Sequence, residues 1–139
     1  MATTTATLGI SSAEIGISVS ASSTLMKTGT TTGLEIMDAG SGEVTVAHSA
    51  RALLEASAVA GDQTSANYFY LSNKAIDETY YLLVKIHDQI LGRLSAGDWM
   101  FIPWNQGDDV AEINITATNG TCPYEYAVFK SAFTLVAKT

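Results

Sequence analysis

Cysteine is almost missing from this sequence: Cys122 stands alone, so no intramolecular disulfide can staple the chain. Base is scarce too. Lys27, Arg51, Lys74, Lys85, Arg93, Lys130 and Lys138 are the only cations, and they are scattered. The formal net charge is −7, and from Asp98 to Glu125 there are five acids and no base. Nucleic-acid affinity comes largely from clustered Lys and Arg displacing counterions, so a nucleic-acid partner is excluded as an expectation. No apolar run approaches the length of a membrane span, so no membrane partner is expected. The opening Met1-Ala2-Thr3-Thr4-Thr5 lacks the basic start and apolar core of a signal peptide, and the expectation is synthesis in a reducing cytoplasm.

What is present divides by texture near residue 50. Residues 1–50 are rich in Ser, Thr, Ala and Gly and poor in large side chains. Such a stretch buries little area per ordered residue, and the reading is an extended arm with short strands. Ile15, Ile17 and Val19 alternate with small residues, as in a strand. Leu34-Glu35-Ile36 and Val44-Thr45-Val46 make two further short strands, with Gly40-Ser41-Gly42 as a turn between them. The local turns do not obviously supply a partner for these strands, so the arm is expected to be ordered mainly by a neighbouring subunit.

Residues 51–139 read as one domain. Its opening, residues 51–60, favours a short helix by propensity. Afterwards the pattern is β. Tyr68 to Leu71 is an aromatic strand closed by Ser72-Asn73, and Thr79 to Ile86 is a second. His87-Asp88-Gln89 and Ala96-Gly97-Asp98 are turns. Trp99 to Ile102 is a strand that Pro103 ends or places at a sheet edge. Val110 to Ala117 alternates, with Ile113 and Ile115 facing inward, and Tyr124 to Phe129 alternates again. Short strands at this spacing predict an all-β fold, an antiparallel β-sandwich or jelly-roll-like barrel preceded by the Ser/Thr-rich arm.

Candidate chemistry is thin. Asp108-Asp109 follows Gly107 and reads as a solvated hairpin tip, and Asp77-Glu78 as ordinary loop charge. His48 and His87 lack metal-ligand spacing to each other or to Cys122. His87-Asp88 has no nucleophile elbow beside it, and Cys122 has no basic neighbour to activate it. No catalytic residue, metal or cofactor is expected, and the chain is read as not an enzyme. The aromatics stand out instead. Trp99, Trp104, Tyr68, Tyr70, Tyr81 and Tyr124 are the candidate contact residues: those at inward positions are read as core and the rest as subunit-interface anchors, with platforms that stack on sugar rings as the alternative.

Three stretches carry a resemblance: Asn67 to Asn73 with Thr79 to Ile86, Ile90 to Trp104, and Tyr124 to Phe129. Over about residues 52–130, in strand pattern and turn placement, the chain resembles small β-sandwich proteins of tailed bacteriophage particles, the capsid decoration or cement proteins and related virion parts. The first 50 residues carry no matching motif. The resemblance implies a non-enzymatic virion protein, made in the host cytoplasm, that binds the capsid protein and other virion subunits. It implies a homo-oligomer, often a trimer. The alternative reading is a carbohydrate- or receptor-binding module of a phage tail fibre, with Trp104 and exposed tyrosines as its platforms.

Overall fold

The structure is a computed structural model in which residues 4–25, 35–46, 51–54, 65–104 and 112–134 are described. All regular structure among them is β. The strands are β1 (Thr4–Ser12), β2 (Ile17–Leu25), β3 (Glu35–Thr45), β4 (Arg51–Leu54) and β5 (Ser65–Asn73). They continue with β6 (Leu82–Ile86), β7 (Gln89–Leu94), β8 (Trp99–Trp104), β9 (Ile113–Ala117) and β10 (Thr121–Thr134). Two four-stranded antiparallel sheets run in the orders β3-β10-β5-β8 and β4-β9-β6-β7, and β1 pairs with β2 in a separate hairpin.

Two-residue alternation makes the two large sheets a sandwich. On one sheet Val44, Phe69, Leu71, Trp104, Cys122, Tyr124 and Val128 point inward; on the other Leu82, Val84, Leu94, Ile113, Ile115 and Ala117 do. Together they form one buried cluster, onto which Tyr80, Met100, Ile102 and Tyr126 pack from its margins. Full burial of a large aliphatic or aromatic side chain contributes about 1.5–3 kcal/mol, so this layer holds the sheets face to face. Ile113 and Ile115 lie inward with no exposed surface, in the expected register.

Several expectations are corrected. Gly40-Ser41-Gly42 is not a turn but the middle of β3, where Gly40 pairs with Tyr126 and Gly42 with Tyr124 on β10. A Cβ on Gly40 would sit 2.9 Å from the Tyr126 ring, and one on Gly42 2.7 Å from the Tyr124 hydroxyl. The glycines are there because two rings lie across the strand. β3 pairs along β10 and sends Val44 into the core, so the sandwich includes part of the stretch assigned to the arm.

Arg51–Leu54 is strand, paired with β9, because tertiary pairing overrides helix propensity there; residues 55–60 of the expected helix lie outside the described residues. The strand expected from Thr79 begins only at Leu82. Pro103 lies inside β8, and β8 is a sheet edge, where a missing N–H costs no ladder bond. The early strands also find a local partner: β1 and β2 pair with each other from Thr4↔Leu25 to Ser12↔Ile17. The turn between them includes Ile15 and Gly16, whose φ of +65° suits glycine.

One buried polar residue ties the end of the sandwich together. Asn73, at the end of β5, has no exposed surface. Its Nδ2 donates to the carbonyls of Leu94 (3.0 Å) and Tyr80 (3.2 Å), and its Oδ1 accepts from the Ala75 N–H at 2.9 Å. Its backbone N–H donates to Asp98 O, and its carbonyl accepts from the Gly97 N–H. Removing the amide strands buried partners that cannot reach water. Asn73→Ala should therefore lower unfolding stability by about 3 kcal/mol, read by urea denaturation, with Asn73→Asp no better because a carboxylate cannot donate to the two carbonyls.

Candidate functional site

The parity of β5 and β8 sorts the aromatic residues into two populations. Phe69 and Leu71 point inward on β5, so Tyr68 and Tyr70 point outward; Met100, Ile102 and Trp104 share the inner side of β8, so Trp99, Phe101 and Pro103 share the outer one. Cross-strand pairing sets Tyr70 opposite Phe101 and Tyr68 opposite Pro103. The Tyr68 and Phe101 rings stack at 5.3 Å between centroids and 2° between planes, and Phe129 from β10 meets Phe101 at 6.1 Å, tilted by 59°. Trp99 ends the strip, 53% exposed. The outer face of this sheet thus carries five aromatic rings in a row, without a charge among them.

The hairpin stands beside this strip. Ala6, Thr7 and Leu8 of β1 and Ala21 and Ser22 of β2 bound a cavity of about 410 Å³ whose other wall is Tyr70, Trp99 and Phe101. That volume is in the range of small-ligand pockets, and its lining is apolar and aromatic with a few hydroxyls.

Of the six aromatics singled out from the sequence, Trp99, Tyr68 and Tyr70 meet on this face. Trp104 does not: it is 4% exposed and packs its ring against Phe69 at 6.4 Å. It is no sugar platform, because five positions along a strand from Trp99 put it on the opposite side of the sheet. Tyr124 is likewise buried, beside Tyr126 at 6.4 Å. Tyr81 lies just before β6 on the other sheet, with the Arg93 guanidinium 4.7 Å above its ring. Phe101 and Phe129 were missed, although Phe101 shares the parity of Trp99 and could have been read with it.

The ionisable groups lie at the margin of the strip or away from it. Lys74 Nζ pairs with Glu125 at 3.0 Å on the surface, which holds the lysine pKa above its usual value. Asp77 Oδ1 accepts from the Thr79 N–H and then from its hydroxyl, which lowers the carboxyl pKa. His87 Nε2 approaches Asp88 at 3.4 Å, both exposed, at a turn where His87 has φ +52°. Among the described residues no three His, Cys, Asp or Glu side chains gather as a metal site. His48, Asp108 and Asp109 lie outside the described residues.

No protein family matches this sequence, and no curated protein matches it either.

Two measurements check the sorting of side chains. Trp104→Ala should cost about 3–5 kcal/mol in unfolding stability, whereas Trp99→Ala should change it by less than about 0.5 kcal/mol. Cys122 is buried, and burial pushes its thiol pKa up. Protonated thiol is favoured in the folded state, so its contribution holds below the ordinary thiol pKa and is lost as pH rises through the raised one. At neutral pH a thiol reagent should label Cys122 only as fast as the domain opens, with full labelling in denaturant; rapid labelling of the native chain would contradict its burial.

Proposed function

We propose that this chain is a non-enzymatic structural protein of a tailed-phage particle, a decoration or cement subunit that binds capsid protein through its outer aromatic face. The observation that carries the reading is the uncharged row Trp99, Phe101, Tyr70, Tyr68 and Phe129, held outward on a rigid sheet. Tyr and Trp supply large contact area at small cost in side-chain entropy, which suits burial across a subunit seam. The strand orders β3-β10-β5-β8 and β4-β9-β6-β7 support a jelly roll, with successive strands passing between the sheets except at the β6–β7 hairpin. Jelly rolls serve viral capsids and lectins alike, so the fold raises both readings and the surface decides between them.

The sugar-binding alternative keeps one observation in its favour, the cavity beside exposed Trp99. Its platform is then Trp99 and not Trp104. Mass spectrometry of purified particles should find this chain in many copies per particle, and Trp99→Ala/Phe101→Ala should fold but fail to remain on particles. Absence from particles, with glycan-array binding that Trp99→Ala abolishes, would replace this reading with the carbohydrate one.

A further inference from the structure

The loop from β9 to β10 is built round one glycine. Gly120 has a φ of +60°, a left-handed conformation that suits a residue without a side chain. The Tyr80 ring also lies against it, and a Cβ on Gly120 would sit 2.4 Å from that ring. Both constraints demand glycine. Tyr80 in turn packs on the margin of the core and gives its carbonyl to the Asn73 amide, so the contact belongs to the closed end of the sandwich.

Glycine there exposes the residue before it to attack by the chain's own backbone. The carboxamide of an asparagine lies within reach of the next residue's main-chain nitrogen, and a Cβ on that next residue is the chief obstacle to the approach. Of Asn67, Asn73, Asn105, Asn114 and Asn119, only Asn119 precedes glycine. Asn119 is exposed. Among the described residues nothing accepts a hydrogen bond from the Gly120 N–H, so no bond has to break before that nitrogen reacts. The side chain itself is held by one long contact, Nδ2 donating to Thr79 Oγ1 at 3.3 Å.

We propose that Asn119 deamidates spontaneously in the folded chain, and that the change loosens this end of the sandwich. The Gly120 nitrogen bonds to Asn119 Cγ, the Cγ–Nδ2 bond breaks, and Nδ2 leaves as ammonia with the Gly120 amide proton. A five-membered imide remains. Water then opens it, its hydroxide going to an imide carbon and its proton to the ring nitrogen. Opening at Cγ gives aspartate, and opening at the main-chain carbonyl gives isoaspartate. No oxidant, metal or partner is consumed.

Both products turn an amide donor into a carboxylate acceptor. Thr79 Oγ1 already gives its single proton to Asp77 Oδ1 at 2.7 Å, so the new carboxylate finds no donor there and faces Asp77 across the Thr79 hydroxyl. Isoaspartate also lengthens the main chain by a methylene, directly beside the glycine on which Tyr80 rests. Asp77 O accepts the Tyr80 N–H at 3.0 Å, so a shift of this loop reaches Tyr80 from two sides and passes to Asn73. The proposal involves no partner, so it stands or falls separately from the particle assay.

The test is to keep the purified full chain folded for several weeks, warm and at mildly alkaline pH, and then to map its peptides by mass spectrometry. The peptide carrying Asn119 should gain the difference between O and NH, at least roughly tenfold faster than a peptide carrying any other asparagine. Conversion should quicken as pH rises, because the deprotonated amide nitrogen is the nucleophile. Asn119→Ser should fold and abolish the change. The deamidated chain, separated by its added negative charge, should unfold at a lower urea concentration than the unmodified one. An Asn119 that stays intact in the folded chain, while the same chain held unfolded in guanidinium converts, would overturn the proposal. A deamidated chain with an unchanged unfolding midpoint would overturn it as well.

Discussion

The buried amide of Asn73 is the point on which both sheets depend at one end of the sandwich. Its β5 backbone belongs to one sheet, while its side chain bonds the carbonyls just before β6 and at the end of β7, which belong to the other. A buried polar group in a protein interior is costly unless every bond is made, and here both ends of the amide are used. The same residue's main chain holds the Gly97-Asp98 turn, which Asp98 tightens by accepting the Ser95 N–H at 2.8 Å. Trp99 begins β8 directly after that turn. Asn73 therefore sets where β8 starts, and with it which of its side chains face out.

That parity has consequences for electrostatics. Asp77, Glu78 and Asp88 are exposed in loops, whereas Asp98 and the Lys74–Glu125 pair lie at the margin of the aromatic strip, Asp98 directly before Trp99 and Glu125 opposite Ser72 on the same sheet. Charged loops keep an acidic chain soluble at long range, while the neutral face remains free of desolvation cost when it is covered. The other sheet behaves differently. Its outer side carries Lys85 and Arg93, the latter stacked on Tyr81, so its one outward aromatic is already covered by the chain's own cation.

Much of this was legible in the sequence, and the failures share a cause. Alternation from Ile113 to Ala117 gave the core side of β9 because each step there flips a large apolar side chain against a polar one. Asn73 was visible only as a strand end, since no local pattern tells which distant carbonyls an amide reaches. Gly40 and Gly42 read as a turn because glycine is ambiguous without its neighbours, and here the neighbours are rings more than eighty residues away on β10. Trp104 was left open between core and surface for a simpler reason. Flanking a proline suggested a loop, whereas counting by twos from Met100 through Ile102 puts it in the core. The arm was read as needing a foreign strand because its turn, Ala13 to Gly16, has only one glycine and no proline to announce it.

That last difference changes which surfaces the fold leaves exposed. Strand addition needs an open, flat edge, and two of the four edge strands of the large sheets, β8 and β7, offer poor ones. β8 carries Pro103 on its edge, and β7 carries a register shift opposite Val84-Lys85 with Arg93 nearby. β1 and β2 have satisfied each other's inward-facing ladder bonds. Among the described residues two faces are also open: the apolar stripe of Leu8, Ile10, Ile17 and Val19 on the hairpin and the rings on the β5–β8 surface. Contact through faces depends on side-chain shape instead of on backbone alone, so it discriminates between partners in a way that strand addition does not.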